Sequence, residues 1–296
     1  MTAYPFEIRL GPLTLTGYGL MLMVAFLMAG WVIQLDLRHR KLSEDYAADV
    51  VLGAVVGGIV GAKLWYLFLA GDWGPIGQIV TFDWGNVRWG ALRGGFVWYG
   101  GFLGGVAGVL LNGLRRGVPA RWTMELTAAP LALGYALGRV GCFLVNDDYG
   151  IPSTLPWAMK FPEGLPPTTV ANLEQLHVTF PPGMNPGDVV AVHPTQIYET
   201  ALMLFVFWWL WRLRAHGHGT GWRFGVYLVL AGAERFLVEL VRAKDDRLLG
   251  PFTLAQVTSL LLVVAGLFIM QRLRKPDAAA AAAPAALKLA PQPRPT

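Results

Sequence analysis

The sequence predicts an all-α, polytopic membrane protein with about seven transmembrane helices, and three observations predict it. Of its 296 residues, 54% are hydrophobic and only 15% are charged, against about 25% charged in an average soluble domain. Apolar stretches long enough to cross roughly 30 Å of hydrocarbon recur along the chain. These stretches are continuous rather than alternating. Because lipid leaves every backbone polar group to be satisfied internally, they read as helices and not as barrel strands.

The expected spans lie near 17–35, 47–70, 94–114, 124–145, 197–213, 222–241 and 253–271. The first is not read as a cleaved signal peptide, since no basic start precedes it and six spans follow. The second, "GAVVGGIVGA", places Gly53, Gly57 and Gly61 one turn apart, and the third repeats the device at Gly100, Gly104 and Gly108. Small residues at this spacing let helix backbones approach closely. Arg38, Arg40 and Lys41 follow span one, and Arg115, Arg116 and Arg121 follow span three. Arg212, Arg214 and Arg223 join spans five and six, and Arg272, Arg274 and Lys275 follow span seven. Basic residues in short loops mark the cytoplasmic side, so the amino terminus is expected outside. The net charge of +5 follows from this collar and is no argument for nucleic acid.

Residues 1–275 are thus read as one transmembrane domain. Within it, the proline- and glycine-rich 151–192 segment forms a small extracytoplasmic cap with one weakly amphipathic patch, "TTVANLEQLHV". The alanine- and proline-rich tail, 276–296, is expected to be disordered and cytoplasmic. No internal repeat is evident, which counts against a transporter built from two related halves. One cysteine, Cys142, precludes an intramolecular disulfide. His216 and His218 are too few for a metal site and read as a solvated loop.

The ionisable residues near span ends carry the chemistry. An arginine or aspartate at a helix centre costs about 2.5–3.5 kcal/mol on insertion scales, so it normally faces a cavity or a partner. Arg139 lies about two turns inside the outer end of span four, just before "CFLVNDDYG". It either pairs with a nearby carboxylate or holds an anionic head group, and convergence of other polar groups on that face favours the head group. Arg235, Glu239 and Arg242 are spaced four and three apart and share one helical face. Two guanidiniums against one carboxylate leave a surplus positive charge that suits bidentate grip of a phosphate. Snorkelling at the interface accounts for Arg242 but poorly for the deeper Arg235. In "VHPTQIYET", Pro194 fits a helix start, gathering His193, Gln196, Tyr198 and Glu199 at the membrane boundary. Tyr18 and Tyr99 stand beside glycines that leave room around a phenol. Cys142 reads as a small buried apolar side chain, because neighbouring aspartates would raise its thiol pKa instead of activating it.

Four stretches together resemble one family, the prolipoprotein diacylglyceryl transferases of bacterial inner membranes. "GRVGCFLVNDDYG" resembles the family signature G-R-x-G-N-F-x-N-x-E-x-x-G through Gly138, Arg139, Gly141, Phe143 and Gly150. "HPTQIYE" at 193–199, "RFLVELVRAKD" at 235–245 and "GPLTLTGYGL" at 11–20 are similar to further family motifs, in the same order. The resemblance implies transfer of the diacylglyceryl group of phosphatidylglycerol to the lipobox cysteine thiol of prolipoprotein signal peptides, forming a thioether and releasing glycerol 1-phosphate. It implies no metal or other cofactor, a multi-pass position among the lipids of the inner membrane, and a site toward the periplasm. Carried over, Arg139 and Arg235 would hold the lipid phosphate, Tyr18 would line the lipid site and Gly150 would close the signature loop. Asn146, His193, Glu239 and Arg242 join the expected substrate-binding set, and Asp147 and Tyr99 the catalytic one.

Three departures bear on the proton acceptor. Cys142 stands where the family has asparagine, and Asp147 where it has glutamate, with Asp148 as a competing candidate. Tyr99 falls where some members carry a histidine, and a phenol with a reference pKa of about 10 is a poor base. The alternative is a divergent paralogue that binds or transports lipid without this activity. An anion transporter would spread its charges toward both faces, and an intramembrane protease would need paired aspartates deep in facing helices. Here the charges gather at one end of the spans.

Overall fold

Each apolar run expected to cross the membrane is helical over its described part in the computed structural model, which describes residues 1–11, 13–71, 97–243, 247–249, 252–276 and 282–288, so that the start of the expected 94–114 span lies outside the described residues. The long helices are α1 (Gly17–His39), α2 (Asp45–Ala70), α3 (Trp98–Arg115) and α4 (Ala120–Val145). After a short α5 (Val170–Glu174) come α6 (Thr195–Arg212), α7 (Trp222–Glu239) and α8 (Leu254–Arg272). Helices α1, α2, α4 and α8 are long and apolar enough to cross a bilayer, so the chain is a polytopic membrane protein. The other three are 18 residues each, and glycines, tryptophans or charged residues interrupt their apolar runs.

The fold is not purely α. Strands β1 (Glu7–Leu10) and β2 (Leu13–Thr16) pair antiparallel with Glu7 opposite Thr16, and β3 (Arg247–Leu249) pairs with β4 (Phe252–Thr253). The first hairpin has a sequence reason. "EIRL" and "LTLT" alternate with period two, the strand signal, and Gly11 turns between them at φ +60°.

The chain divides into two compact units, residues 1–32 with 124–281, and residues 33–123 with 282–296. In the second unit, α2 and α3 pack glycine against glycine. A Cβ on Gly57 or Gly61 would run into the backbone of Gly104 or Gly100, as the one-per-turn spacing predicts. Asn112 Nδ2 donates to Asp49 O at 2.7 Å, and Tyr46 and Thr123 share a 2.7 Å hydroxyl bond. Part of the tail expected to be disordered belongs here. Ala285–Leu287 form a 3-10 turn whose Leu287 is buried and whose carbonyl accepts from Ser43 N at 2.8 Å. Residues 277–281 and 289–296 lie outside the described residues.

In the first unit, α4, α6 and α7 meet around Ala129, Ala132, Ala136, Met203, Val206, Leu210 and Val226. The alanines of α4 keep this core thin, so polar side chains on the same helices are drawn close at its ends. The 151–192 insert has a small core of its own, in which Phe161, Leu173 and Val192 pack with Tyr149, the Tyr149 and Phe161 rings stacking at 5.7 Å. The amphipathic patch within it supplies α5, capped by Thr169 accepting from Asn172 N at 3.3 Å. The amino terminus joins this insert, with Ala3 N bonded to Lys160 O at 3.0 Å, and Phe6 N bonded to Leu144 O at 2.7 Å at the end of α4.

Candidate active site

Helix α4 ends in a way its sequence dictates. Asn146 adopts the left-handed conformation at φ +59°, one that asparagine tolerates better than most residues. Its N–H returns to Phe143 O at 3.1 Å while Asp147 N reaches Cys142 O at 3.1 Å, the paired bonds of a Schellman stop. Asp148 is left-handed as well, at φ +58°. The turn therefore bends back over the last two turns of α4, where Arg139 stands. The start of α6 grips this turn, Thr195 Oγ1 donating to Asp148 O at 2.7 Å and Gln196 Nε2 to Asp147 O. Gly150 closes it. Its N–H bonds His193 O at 2.9 Å, and a Cβ there would meet Val241 O, His193 Cβ and Thr195 Cγ2.

Three guanidiniums converge beside this turn. Arg139 Nη1 donates to Asp148 Oδ2 at 2.9 Å and to Cys142 Sγ at 3.3 Å, and its Nε lies against Glu199. Arg235 Nη2 pairs with Glu239 at 2.6 Å and its Nη1 faces Glu199 at 3.6 Å. Arg242 donates to Asp148 and stands 3.8 Å from Glu199 and 3.9 Å from Glu239. Burial lowers the pKa of Arg242, with Arg235 and Arg139 adding to the effect and Asp148 opposing it.

The surplus positive charge expected from Arg235, Glu239 and Arg242 is therefore cancelled. Asp148 and Glu199 join Glu239 to set three carboxylates against three guanidiniums. The pairing is by charge more than by hydrogen bonds. Arg139 Nη2 and Arg235 Nη1 are buried and make no hydrogen bond, and neither do the carboxylate oxygens of Glu199 and Glu239, Glu199 Oε1 standing 3.6 Å from Arg235 Nη1. A buried charged donor without a hydrogen bond costs more than about 1–3 kcal/mol, so an acceptor that reached these donors would be held.

Most of the expected residues are drawn together and some are not. Arg139, Arg235, Glu239 and Arg242 share the cluster. Asn146 serves the turn, its Nδ2 donating to Ala3 O at 3.2 Å. Tyr18, in the first turn of α1, packs against Gly141, where a Cβ would lie 3.2 Å from its ring. Asp147 meets Cys142 and not an arginine; its carboxyl takes a hydrogen bond from that thiol, and burial, with Asp148 beside it, pushes its pKa up. Cys142 is thus not merely apolar packing, since its sulfur links Arg139 to Asp147. Cys142, Asp147 and Asp148 place ligand atoms within 4.8 Å of one another, but Arg139 Nη1 donates to two of the three and supplies a cation itself. His193 turns to Tyr198, Nδ1 to hydroxyl at 3.2 Å. Tyr99 lies on α3 in the other unit, exposed, with its ring edge-on to Trp98 at 5.2 Å. Lys244 and Asp245, the end of the "RFLVELVRAKD" motif, lie outside the described residues.

Glu199 is the residue the sequence reading did not place at the centre. It is fully buried and faces all three arginines. The signal was available: Gln196, Glu199, Met203, Val206 and Leu210 recur at intervals of three and four, a buried helical stripe, with a carboxylate at its outer end.

The profile of the prolipoprotein diacylglyceryl transferase family matches residues 5–272. The chain belongs to this family. Among similar curated proteins, the phosphatidylglycerol–prolipoprotein diacylglyceryl transferase of Nitratidesulfovibrio vulgaris is 33% identical over 280 residues, covering 90% of this chain and 93% of that protein. The protein of the same name from Solidesulfovibrio magneticus is 32% identical, covering 92% of this chain and 95% of the relative. That from Clostridium tetani is 29% identical over 92% of this chain and 99% of its own length. The resemblance carried by four short motifs thus extends over nearly the whole chain.

Proposed function

We propose that the chain transfers the diacylglyceryl group of phosphatidylglycerol to the lipobox cysteine thiol of prolipoproteins. The observation that carries this reading is the cluster of three guanidiniums from α4, α7 and the segment after α7, with buried donors on Arg139 and Arg235 that make no hydrogen bond. A phosphodiester offers the oxygens they need, in the bidentate geometry that guanidinium favours. Family membership and the names of the relatives support the same substrate.

The chemistry is a displacement at the glycerol carbon that bears the phosphate. The acceptor sulfur attacks as thiolate, a C–S bond forms, the C–O bond to phosphate breaks, and glycerol 1-phosphate leaves. Arg139 and Arg235 act twice, lowering the pKa of the incoming thiol as nearby cations do and stabilising the charge that gathers on the departing phosphate. Asp147 takes the thiol proton in this reading, because burial raises its carboxyl above the ordinary aspartate range and so makes it the stronger base. His193, occupied with Tyr198, orients the loop around Gly150. Tyr18 and the apolar α1 face provide a wall for the lipid.

Seven crossings, an outside amino terminus and a site at the periplasmic face of the inner membrane belong to the same reading. What supports them is charge placement. Basic residues follow the ends of α1, α3, α6 and α8, whereas the arginine cluster sits at the opposite ends of α4, α6 and α7, beside the 151–192 cap.

The deciding experiment incubates the purified protein with phosphatidylglycerol and a lipobox peptide. Release of glycerol 1-phosphate in step with thioether formation is the expected result. Lipid binding without release would leave a lipid-binding or carrier protein in its place.

A further inference from the structure

A phosphodiester is an anion, and the three guanidiniums it must meet are already ion-paired with three carboxylates, with Glu234 buried nearby. For the lipid phosphate to bind without burying excess negative charge, one carboxylate has to leave or take up a proton. The three carboxylates differ sharply in their freedom to do so. Glu199 and Glu239 side chains are 0% and 1% exposed, and Asp148 is 42% exposed. Moving a half-exposed carboxylate into water costs little, whereas stripping a buried one from its partners leaves uncompensated charge. Asp148 is also the acid that bridges two arginines from different elements, Arg139 Nη1 at 2.9 Å and Arg242. That is the span a bidentate phosphate would take.

We propose that Asp148 is a displaceable counter-ion, holding Arg139 and Arg242 in place and yielding its position to the lipid phosphodiester. This rests on the lipid reading above. It assigns Asp148 a specificity role: an incoming group must compete with a carboxylate for two guanidiniums, so a neutral glyceride has no means of opening the cluster. Glu199 and Glu239 stay behind as the fixed acids that keep the three guanidiniums from repelling one another.

The test measures binding of short-chain dihexanoyl phosphatidylglycerol to the full-length protein in detergent by calorimetry, for the unaltered chain and for Asp148→Asn. Asparagine tolerates the left-handed φ that Asp148 adopts, and Asp148→Gly gives a second variant for which that conformation is free. Removing the competing ion pair tightens lipid binding about fivefold, and glycerol 1-phosphate binds more tightly as well. Unchanged or weaker lipid binding in both folded variants would overturn the proposal. So would equal tightening in Asp147→Asn, which would mean that any lost negative charge suffices. Because the readout is binding, it stands apart from turnover: a chain that binds lipid as described yet releases no glycerol 1-phosphate would sink the transferase reading and leave the counter-ion role intact.

Discussion

Helix α4 carries a buried polar cluster at each end, contrary to the expectation that the charges gather at one end of the spans, and the two are built on different principles. Near its start, Glu125 is almost fully buried, and both of its carboxylate oxygens are engaged. Oε1 lies 3.1 Å from His216 Nε2 and 3.3 Å from Arg223 Nε, while Oε2 accepts from Gly221 N at 2.9 Å. Arg223 also bonds the Glu125 carbonyl, and His218 stacks on Trp222 at 4.0 Å. Of the histidine pair expected in a solvated loop, His216 is therefore part of a closed joint between α4 and the start of α7, while His218 remains exposed. Fourteen residues on, about 21 Å along the helix, the Arg139 cluster gathers three guanidiniums and three carboxylates where the joint has one of each beside a histidine. Both leave a guanidinium nitrogen without a hydrogen bond, Arg223 Nη1 in the joint as well as Arg139 Nη2 and Arg235 Nη1 in the cluster. What separates them is access: the side chains of Arg223, Glu125 and His216 are 0%, 1% and 8% exposed, whereas the cluster opens to the surface at Asp148, 42% exposed, and Arg235, 21%.

Substitution should expose the contrast directly. Arg139→Ala and Arg235→Ala should each cut turnover by at least 10²-fold, the scale of losing one donor from a developing oxyanion, with the protein still inserted and folded. Glycerol 1-phosphate release checks the first part and size-exclusion behaviour in detergent the second. Arg223→Ala should do the reverse. It takes the guanidinium from the buried Glu125 carboxylate, which keeps only His216 and the Gly221 N–H among the partners named above, a loss of up to about 3–5 kcal/mol visible as a lower thermal midpoint, while lipid binding per folded molecule stays as it was. If Arg223→Ala abolished lipid binding in folded protein, the division between joint and site would fail.

How much of this was legible in the sequence follows from how far apart the partners lie. The helices were readable because a membrane imposes length and continuity on each run separately. Arg235 and Glu239 were readable because an i, i+4 contact is fixed by the helix itself, whereas Arg242, expected on the same helical face, lies beyond the end of α7 at Glu239 and reaches the cluster from a bridge with Gly150. Glu199 meets Arg139 across 60 residues, and His216 meets Glu125 across 91, so both pairings depend on how α4 packs with later elements, which no local pattern encodes. The choice between Asp147 and Asp148 was hidden for another reason. Two left-handed residues, Asn146 and Asp148, decide which carboxylate turns toward the arginines, and the family signature alone pointed to the other one. The β1–β2 hairpin was present in the alternation of "EIRL" and "LTLT", which reads more readily as a motif than as a period.

Cys142 sharpens the comparison at a finer scale. As a small apolar side chain it could be exchanged for alanine without effect. As a link between Arg139 and Asp147 it holds part of the site in place. Cys142→Ala should then lower turnover several-fold, of the order of one hydrogen bond at about 1 kcal/mol. Cys142→Asn, which can both accept and donate, should retain most of it. Equal activity in all three forms would return the thiol to mere packing.

The smallest effect concerns Asp147, and its sign separates a site residue from a structural one. Burial raises its folded pKa above the unfolded value, so the fold favours the protonated form. Below the ordinary aspartate range both states are protonated and nothing is lost. As pH rises, the unfolded chain ionises first and the native state loses ground until Asp147 also ionises. Asp147→Asn removes that cost, so it should stabilise the protein near neutrality, by less than about 1 kcal/mol given its partial exposure, and not at about pH 4 or below. Turnover should fall in the same variant. Gain of stability with loss of activity is the mark of a group kept against the interest of the fold, and thermal scans at the two pH values beside one turnover assay would read both. The closed Glu125 joint should show the opposite, since Glu125→Gln weakens bonds that only the fold uses and lowers the thermal midpoint.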